Sequence, residues 1–174
     1  MIKRIRNVIL KEDLFSLYKE LINSTIFALN NKSNANTMAG TFPAVCLIKD
    51  GQPQANFPYW IGYTNCLFDM INTRCQEQHG FSLRKNIKRT IINAQNNNHY
   101  ASFHIDGDSS EQSIVGFLTP QWAEDWGGEL NIEGEICRYE PGDFILFDSS
   151  QLHKNQEIKN IPYWRISLAY VIEK

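Results

Sequence analysis

The chain has 174 residues, a net charge of −2 at pH 7, 43% hydrophobic and 21% charged residues, which suits a single domain able to bury roughly 70% of its unfolded surface. That balance gives no electrostatic reason for nucleic acid or an anionic membrane as partner, and no run approaches the ~18 apolar residues that a membrane span needs. The opening Met1 to Leu10 holds Lys3, Arg4 and Arg6 and lacks the apolar core of a secretory leader; Cys46, Cys66, Cys75 and Cys137 lack C-x-x-C spacing, as expected of reduced thiols in a cytoplasmic protein.

Ile5 to Leu10 reads as a first strand, and Asp13 as the cap of a helix with Leu14, Leu17, Tyr18 and Leu21 at helical spacing. Asn30 to Asn36 predicts a loop, and Phe42 to Ile48 a strand closing on an Asp50-Gly51 turn, with irregular chain from Pro53 to Pro58. A second helix is expected from about Tyr59 to Glu77, striped by Trp60, Tyr63, Thr64, Leu67, Phe68 and Ile71 and ended near Gly80. Arg84, Lys85, Lys88 and Arg89 then form a basic cluster, either a solvated edge or a substrate-facing patch.

From Thr90 the texture changes to short strands separated by turns. The candidates are Thr90 to Gln95, Tyr100 to Asp106, Ser113 to Thr119, Glu129 to Ile132, Asp143 to Asp148, Gln156 to Lys159 and Trp164 to Ile172. Asn96-Asn97-Asn98, Gly107-Asp108, Gly127-Gly128 and Pro141-Gly142 punctuate them. Such a series points to a sandwich, jelly roll or small barrel. With no repeat or linker, the chain reads as one domain over 1–174, in which 1–89 supplies helical support and outer strands and 90–174 the β-core.

His104 and Asp106 are two residues apart in one of these strand-like runs, so both side chains share a face. With His153 they could form a 2-His-1-carboxylate set, the arrangement that holds non-haem Fe(II) with open positions. A bare H-x-D is common, and a lone histidine is more often hydrogen-bonded at a surface. His79 and His99 have no partners at ligand spacing. The weight comes from what surrounds the triplet.

Several segments follow in order: His104-Ile105-Asp106, Trp126-Gly127-Gly128-Glu129-Leu130, Glu140-Pro141-Gly142-Asp143-Phe144-Ile145-Leu146-Phe147, His153, and Trp164-Arg165-Ile166-Ser167-Leu168. Together they resemble the 2-oxoglutarate- and Fe(II)-dependent dioxygenases, most of all the prolyl 4-hydroxylase-like branch, over roughly residues 90 to 172. Val8 to Asp13 is similar to the strand-to-helix opening of that branch. The resemblance implies a mainly β fold with N-terminal helices (α+β) around a double-stranded β-helix, or jelly-roll, core. It implies His104, Asp106 and His153 as metal ligands. A buried guanidinium needs an anion, and for Arg165 the resemblance supplies the distal carboxylate of 2-oxoglutarate. Ser167, two residues on, shares its face and adds a hydroxyl, and Tyr100, four residues before His104, is either a pocket residue or a core tyrosine. The alternative is an ordinary Arg–Asp or Arg–Glu pair. Asn93 and Gln95 are weaker pocket candidates, and the interval from His153 to Arg165 is somewhat long for the branch.

The implied activity is hydroxylation with release of succinate and carbon dioxide. It would use Fe(II), with 2-oxoglutarate and O2 as cosubstrates, and admits ascorbate as an added reductant. The branch suggests a peptidyl residue, prolyl among them; a free amino acid or small metabolite is the alternative substrate. Asp106 argues against halogenation, where a small residue replaces the carboxylate. Val171, six residues beyond Arg165, stands where nucleobase-repairing relatives carry a second arginine. A cupin-like metal- or ligand-binding module without oxygenase activity is a further reading, weakened by the absence of H-x-H. A structural β-domain in which the triplet never meets is the last. Asn30 to Gly40 and Gly107 to Gln112 are candidate lids.

Overall fold

The computed structural model describes residues 1–24, 26–31, 42–54, 56–97, 99 and 101–174. Leu14, Leu17, Tyr18 and Leu21 form the buried stripe of α1 (Lys11–Asn23), as their spacing predicts. The helix starts before Asp13, which sits in its first turn beside the helix dipole and is not its cap. Leu10 is the N-cap, and Val8 and Ile9 donate backbone bonds to Gly142 O, which holds the chain just ahead of the helix. The strand expected over Ile5 to Leu10 is not found there: β1 is Lys3–Ile5 and shares only Ile5 with it, because Asn7 takes a positive φ of 52° and turns the chain. β2 (Ala28–Asn31) overlaps the predicted loop; β3 (Phe42–Lys49) and β4 (Gln52–Pro53) follow. Then comes α2 (Pro58–His79), with Pro58 in its first turn and Gly80 closing it at φ 75°.

The β-rich part contains β5 (Ile87–Gln95), β6 (Glu111–Phe117), a 3-10 turn (Glu124–Trp126), β7 (Leu130–Ile132), β8 (Glu135–Cys137), β9 (Phe144–Asp148), β10 (His153–Asn155) and β11 (Arg165–Glu173). Eight strands form one antiparallel sheet in the order β1-β9-β6-β11-β5-β3-β2, with β4 pairing β3. A second sheet has the order β10-β7-β8. These two sheets are the layers of a jelly roll.

Strand alternation divides the large sheet into two environments. Ile166, Leu168, Tyr170 and Ile172 of β11 face the helices and pack with Leu17, Leu67, Phe68 and Ile71. Tyr170 also donates from its hydroxyl to Thr64 O at 2.6 Å, tying α2 to the sheet. The opposite face of β6 and β9 meets the small sheet in a second apolar cluster, where Val115, Phe117, Ile145 and Phe147 pack with Leu130, Ile132, Cys137 and Tyr139. Burying each such side chain contributes about 1.5–3 kcal/mol, so the interior between the sheets is a packed core. Its polar residues are therefore costly unless they are bonded or used.

Two further strand expectations fail. Residues 101–106 form no strand and carry a single bridge, His104 with His153, so His104 and Asp106 lie on a strap across the sheet edge. Gln156 to Lys159 is likewise no strand; β10 ends at Asn155, and Ile158 makes one isolated bridge to Gly127. In both segments, turns flanking the paired residues limit the pairing. No helix among the described residues is long and apolar enough to cross a membrane.

Candidate metal centre and cosubstrate pocket

The strap and β10 bring the ligand triplet together. His104 and His153 exchange both backbone hydrogen bonds, at 3.0 and 2.9 Å, which sets their rings 4.4 Å apart between centroids. Asp106 reaches the same point because its own N–H and that of Gly107 both donate to Ser149 O. One potential ligand atom from each of His104, Asp106 and His153 falls within 4.8 Å of the others, so the set could hold a metal ion. Nε2 of His153 is 3.4 Å from one Asp106 oxygen, and Nε2 of His104 is 3.9 Å from the other.

The hydrogen bonds behind the rings fix the tautomers. Nδ1 of His104 lies 2.8 Å from Ser102 O, and Nδ1 of His153 lies 2.9 Å from Gln151 O. A carbonyl can only accept, so each Nδ1 carries a proton and each Nε2, on the Asp106 side, is the nitrogen left to bind a metal. Burial pushes the His104 imidazole below its usual pKa, with the bond to Ser102 opposing, and so favours the neutral, ligating form. Burial acts the other way on Asp106. It is outweighed by the contacts to His153, Arg89 and Ser113, which hold the carboxyl well below the usual carboxylate range. Ser113 Oγ donates to Asp106 at 2.8 Å and stands 2.9 Å from Ser149 Oγ; neither serine is exposed.

A cavity of about 170 Å³ opens on this triplet. Its deeper lining includes Asn93 of β5, Asn155 of β10 and Ser167 of β11. Behind them lies Arg165, the largest fully buried side chain. Its Nη1 donates to Gln95 Oε1 at 2.8 Å and Ser167 Oγ at 3.3 Å, and its Nη2 to Gly128 O and Asn155 Oδ1, both at 3.1 Å. All four acceptors are neutral. Among the described residues no carboxylate pairs with Arg165, so the ordinary ion pair is not what holds it. The Tyr139 ring lies 5.3 Å from the guanidinium carbon and stacks on Trp122. Burial pushes the Tyr139 hydroxyl up to about 12, so this ring is neutral and offers only its π-face. Among the described residues, Arg165 Nε and Gln95 Nε2 have no hydrogen-bond partner. This neighbourhood has a positive charge and spare donors, and among the described residues no anion touches it; the Glu129 carboxylate acts on Arg165 only through space.

Gly128 shows why the Gly-Gly pair is needed. Its φ is 73°, and an added Cβ would sit 2.9 Å from Trp122 and 3.2 Å from Arg165 Nε. The backbone passes close enough for its own carbonyl to serve the guanidinium.

Of the predicted site residues, His104, Asp106, His153, Arg165 and Ser167 all lie on this cavity or directly behind it. Tyr100 lies outside the described residues, as do residues 32–40 of the first candidate lid. In the second, Gly107 is tied to Ser149 and Ser110 to Asp108, while Glu111 and Gln112 belong to β6. Asn93 lines the cavity and Gln95 binds Arg165. His79 faces Arg4 O, and His99 stacks on Trp164. Sequence reasoning missed Asn155, Ser113 and the part played by Arg89. Asn155 was within reach, since it follows His153 by two residues and so shares its face.

No protein-family model and no curated protein matches this chain. Solved structures do. A 2OG-Fe(II) oxygenase family protein of Burkholderia pseudomallei is 18% identical with a TM-score of 0.69, covering 93% of this chain and 79% of its own. A Trichoplax adhaerens prolyl hydroxylase, solved with a fragment of the hypoxia inducible factor oxygen degradation domain, is 16% identical with a TM-score of 0.66, covering 99% and 83%. SnoN, a non-haem α-ketoglutarate-dependent epimerase of nogalamycin biosynthesis, is 11% identical with a TM-score of 0.68, covering 99% and 78%. The chain therefore has the fold of the 2-oxoglutarate–Fe(II) oxygenases. Within that fold it is similar to the prolyl hydroxylases, with a jelly-roll core carrying helices on one face.

Proposed function

We propose that this protein is an Fe(II)- and 2-oxoglutarate-dependent oxygenase, acting as a hydroxylase. One observation carries the reading. Two imidazole lone pairs and a carboxylate converge at the mouth of a cavity that ends beside a buried arginine with no anionic partner. A facial set of two nitrogens and one oxygen suits a ferrous ion with open positions. The unpaired guanidinium suits the distal carboxylate of a dicarboxylic cosubstrate. A metal-binding module without oxygenase activity would account for the triplet but leave the charge on Arg165 unexplained.

In this reading His104, Asp106 and His153 would hold the metal, with Ser102 and Gln151 fixing the rings so that each Nε2 is available and Ser113 steadying Asp106. Asn155 and Ser167 line the cavity and would yield the Nη donors of Arg165 that they now occupy to the distal carboxylate of a bound cosubstrate. Gln95 keeps the guanidinium in register. Val115, Leu130 and Ala169 give the cavity apolar walls that limit water around the reacting groups. The bound iron and 2-oxoglutarate supply the oxidation, in which dioxygen is consumed, the cosubstrate becomes succinate and carbon dioxide, and one oxygen atom enters the substrate. Ascorbate enters only as a reductant that keeps the metal ferrous. Residues 1–174 act as one unit, because β1 and β3 complete the sheet that carries β5 and β11.

By likeness to prolyl hydroxylases the substrate is a peptidyl residue, prolyl among the candidates. A free amino acid or small acid is the second reading, favoured by the arginine at the cavity mouth. Anaerobic titration with Fe(II) and then 2-oxoglutarate tests the cofactor assignment. A weak visible charge-transfer band is expected, and folded protein that shows none overturns it.

A further inference from the structure

The basic cluster at 84–89 resolves into two parts. Lys85 pairs with Asp69 and Lys88 with Glu173, both on the outer surface. Arg89 alone turns inward, because it shares the cavity face of β5 with Ile91 and Asn93. Its Nη2 donates to a side-chain oxygen of Asp106, and more distantly to the Asp106 carbonyl at 3.5 Å. Nε and Nη1 have no partner among the described residues. The side chain is 36% exposed, so those donors stand at the cavity mouth within reach of an incoming molecule.

Charge indicates what that molecule carries, given the proposed function on which this step rests. A ferrous ion, the Asp106 carboxylate, a dianionic cosubstrate and Arg165 together are neutral. Arg89 is then a surplus cation beside the ligand set, in a partly enclosed site where an unmatched charge attracts an anion. Nε and Nη1 keep N–H groups free for charge-assisted hydrogen bonds to a carboxylate. Apolar side chains stand beside this charge: Ile105, 56% exposed, lines the cavity with Ile91 and Ala101. An apolar body with one anionic end fits both.

We propose that Arg89 selects the substrate by a carboxylate, holding it on the rim so that oxidation falls a few bonds from that group. The carboxylate comes either from a free amino or organic acid, or from an Asp or Glu side chain next to the target residue in a peptide. Arg89 also touches Asp106, so loss of the arginine could act through the ligand set alone. The test separates these effects by changing the substrate as well as the protein.

The probes are free amino acids and short organic acids, each beside its primary amide, and capped tetrapeptides with Glu or Gln next to proline. They are measured against the protein loaded with Mn(II) and 2-oxoglutarate, by calorimetric binding, and against the Fe(II) form, by product mass. At least one acid is expected to bind and react better than its amide by about tenfold, the scale of a charge-assisted pair at a partly exposed site. In Arg89→Met that preference should shrink to about twofold or less, with Arg89→Lys between the two. The acid arm and the peptide arm identify the source. An equal response to acids and amides in the wild type, including no response to either, overturns the proposal. So does a preference that survives Arg89→Met, or an equal loss for acids and amides, which would leave Arg89 as a positioning residue for Asp106. Failure of the protein to bind Mn(II) or 2-oxoglutarate at all is a separate result and counts against the function itself.

Discussion

Replacing Arg165 with Met keeps most of the stem volume and removes the guanidinium, which separates a structural arginine from one kept for a ligand. Without ligand, two effects oppose. The change relieves the burial of a cation that has no anion, worth several kcal/mol. It also orphans Gln95 Oε1, Gly128 O and Asn155 Oδ1, at about 1–3 kcal/mol each, less at Asn155 where the cavity admits water. The terms nearly cancel, so ligand-free stability should stay within about 3 kcal/mol of wild type. Ligand binding shows the contrast. With Mn(II) and 2-oxoglutarate at about 100 times its Kd, wild type gains about 2.7 kcal/mol. For a chain of this size that raises Tm by about 5–10 °C. Losing a buried charge contact of about 2–5 kcal/mol weakens the cosubstrate at least 30-fold, roughly, and cuts the rise at the same concentration below about 3 °C. Anaerobic melting curves with and without 2-oxoglutarate read both quantities. An undiminished rise in Arg165→Met would refute the clamp. A collapse of the ligand-free variant would make the arginine a structural element.

Three more outcomes are expected. Ala at His104, Asp106 or His153 should abolish metal-dependent succinate formation while leaving the fold intact by circular dichroism; full activity in any of the three would contradict the triplet. Ser113→Ala strips a donor from Asp106 and should weaken metal binding by about 10–100-fold in competition with a chelating dye, an orienting effect rather than a change of ligand. Asp148 is held down to about 2, first by the Lys174 ammonium and then by Ser150. Its folded pKa lies below its unfolded value, so its stabilisation is complete above about pH 4 and is lost as pH falls through about 2. The denaturation midpoint of wild type should therefore exceed that of Asp148→Asn at about pH 5 and converge with it near pH 2; a constant gap would refute the assignment.

What could be read in advance followed the strength of local pattern. β5 and β11 are rich in Ile, Val and Thr and β9 is a continuous apolar run, and each lies within a few residues of its expected place. The strap with His104 and Asp106 looked like a strand for the same reason, yet only one of its residues bridges. The i and i+2 relation survived because it needs extended backbone and not a ladder. β8 passed unnoticed because Glu135 to Cys137 is too short to show a period. Ser113 gave no signal, since its meeting with Asp106 depends on β6 pairing β9 and on the strap closing over both. Arg89 was read with its charged neighbours; the alternation through Ile91 and Asn93 would have separated it from Lys88.

β11 lies between β6 and β5, far from both in the chain, and it carries Arg165 and Ser167. The guanidinium draws its partners from residues 95, 128, 155 and 167, so no stretch of local sequence can assemble its shell. Antiparallel pairings of this reach place folding on the millisecond-to-second scale rather than the microsecond one. Until β11 inserts, β5 and β6 each present an unpaired inner edge bearing Ile91, Ile92, Ile114 and Val115, the kind of surface through which chains join one another. Insertion of one strand thus ends the period of greatest exposure to aggregation and completes the anion site. A substitution that slows that insertion would lower the yield of folded protein before it altered the chemistry of any molecule that had folded.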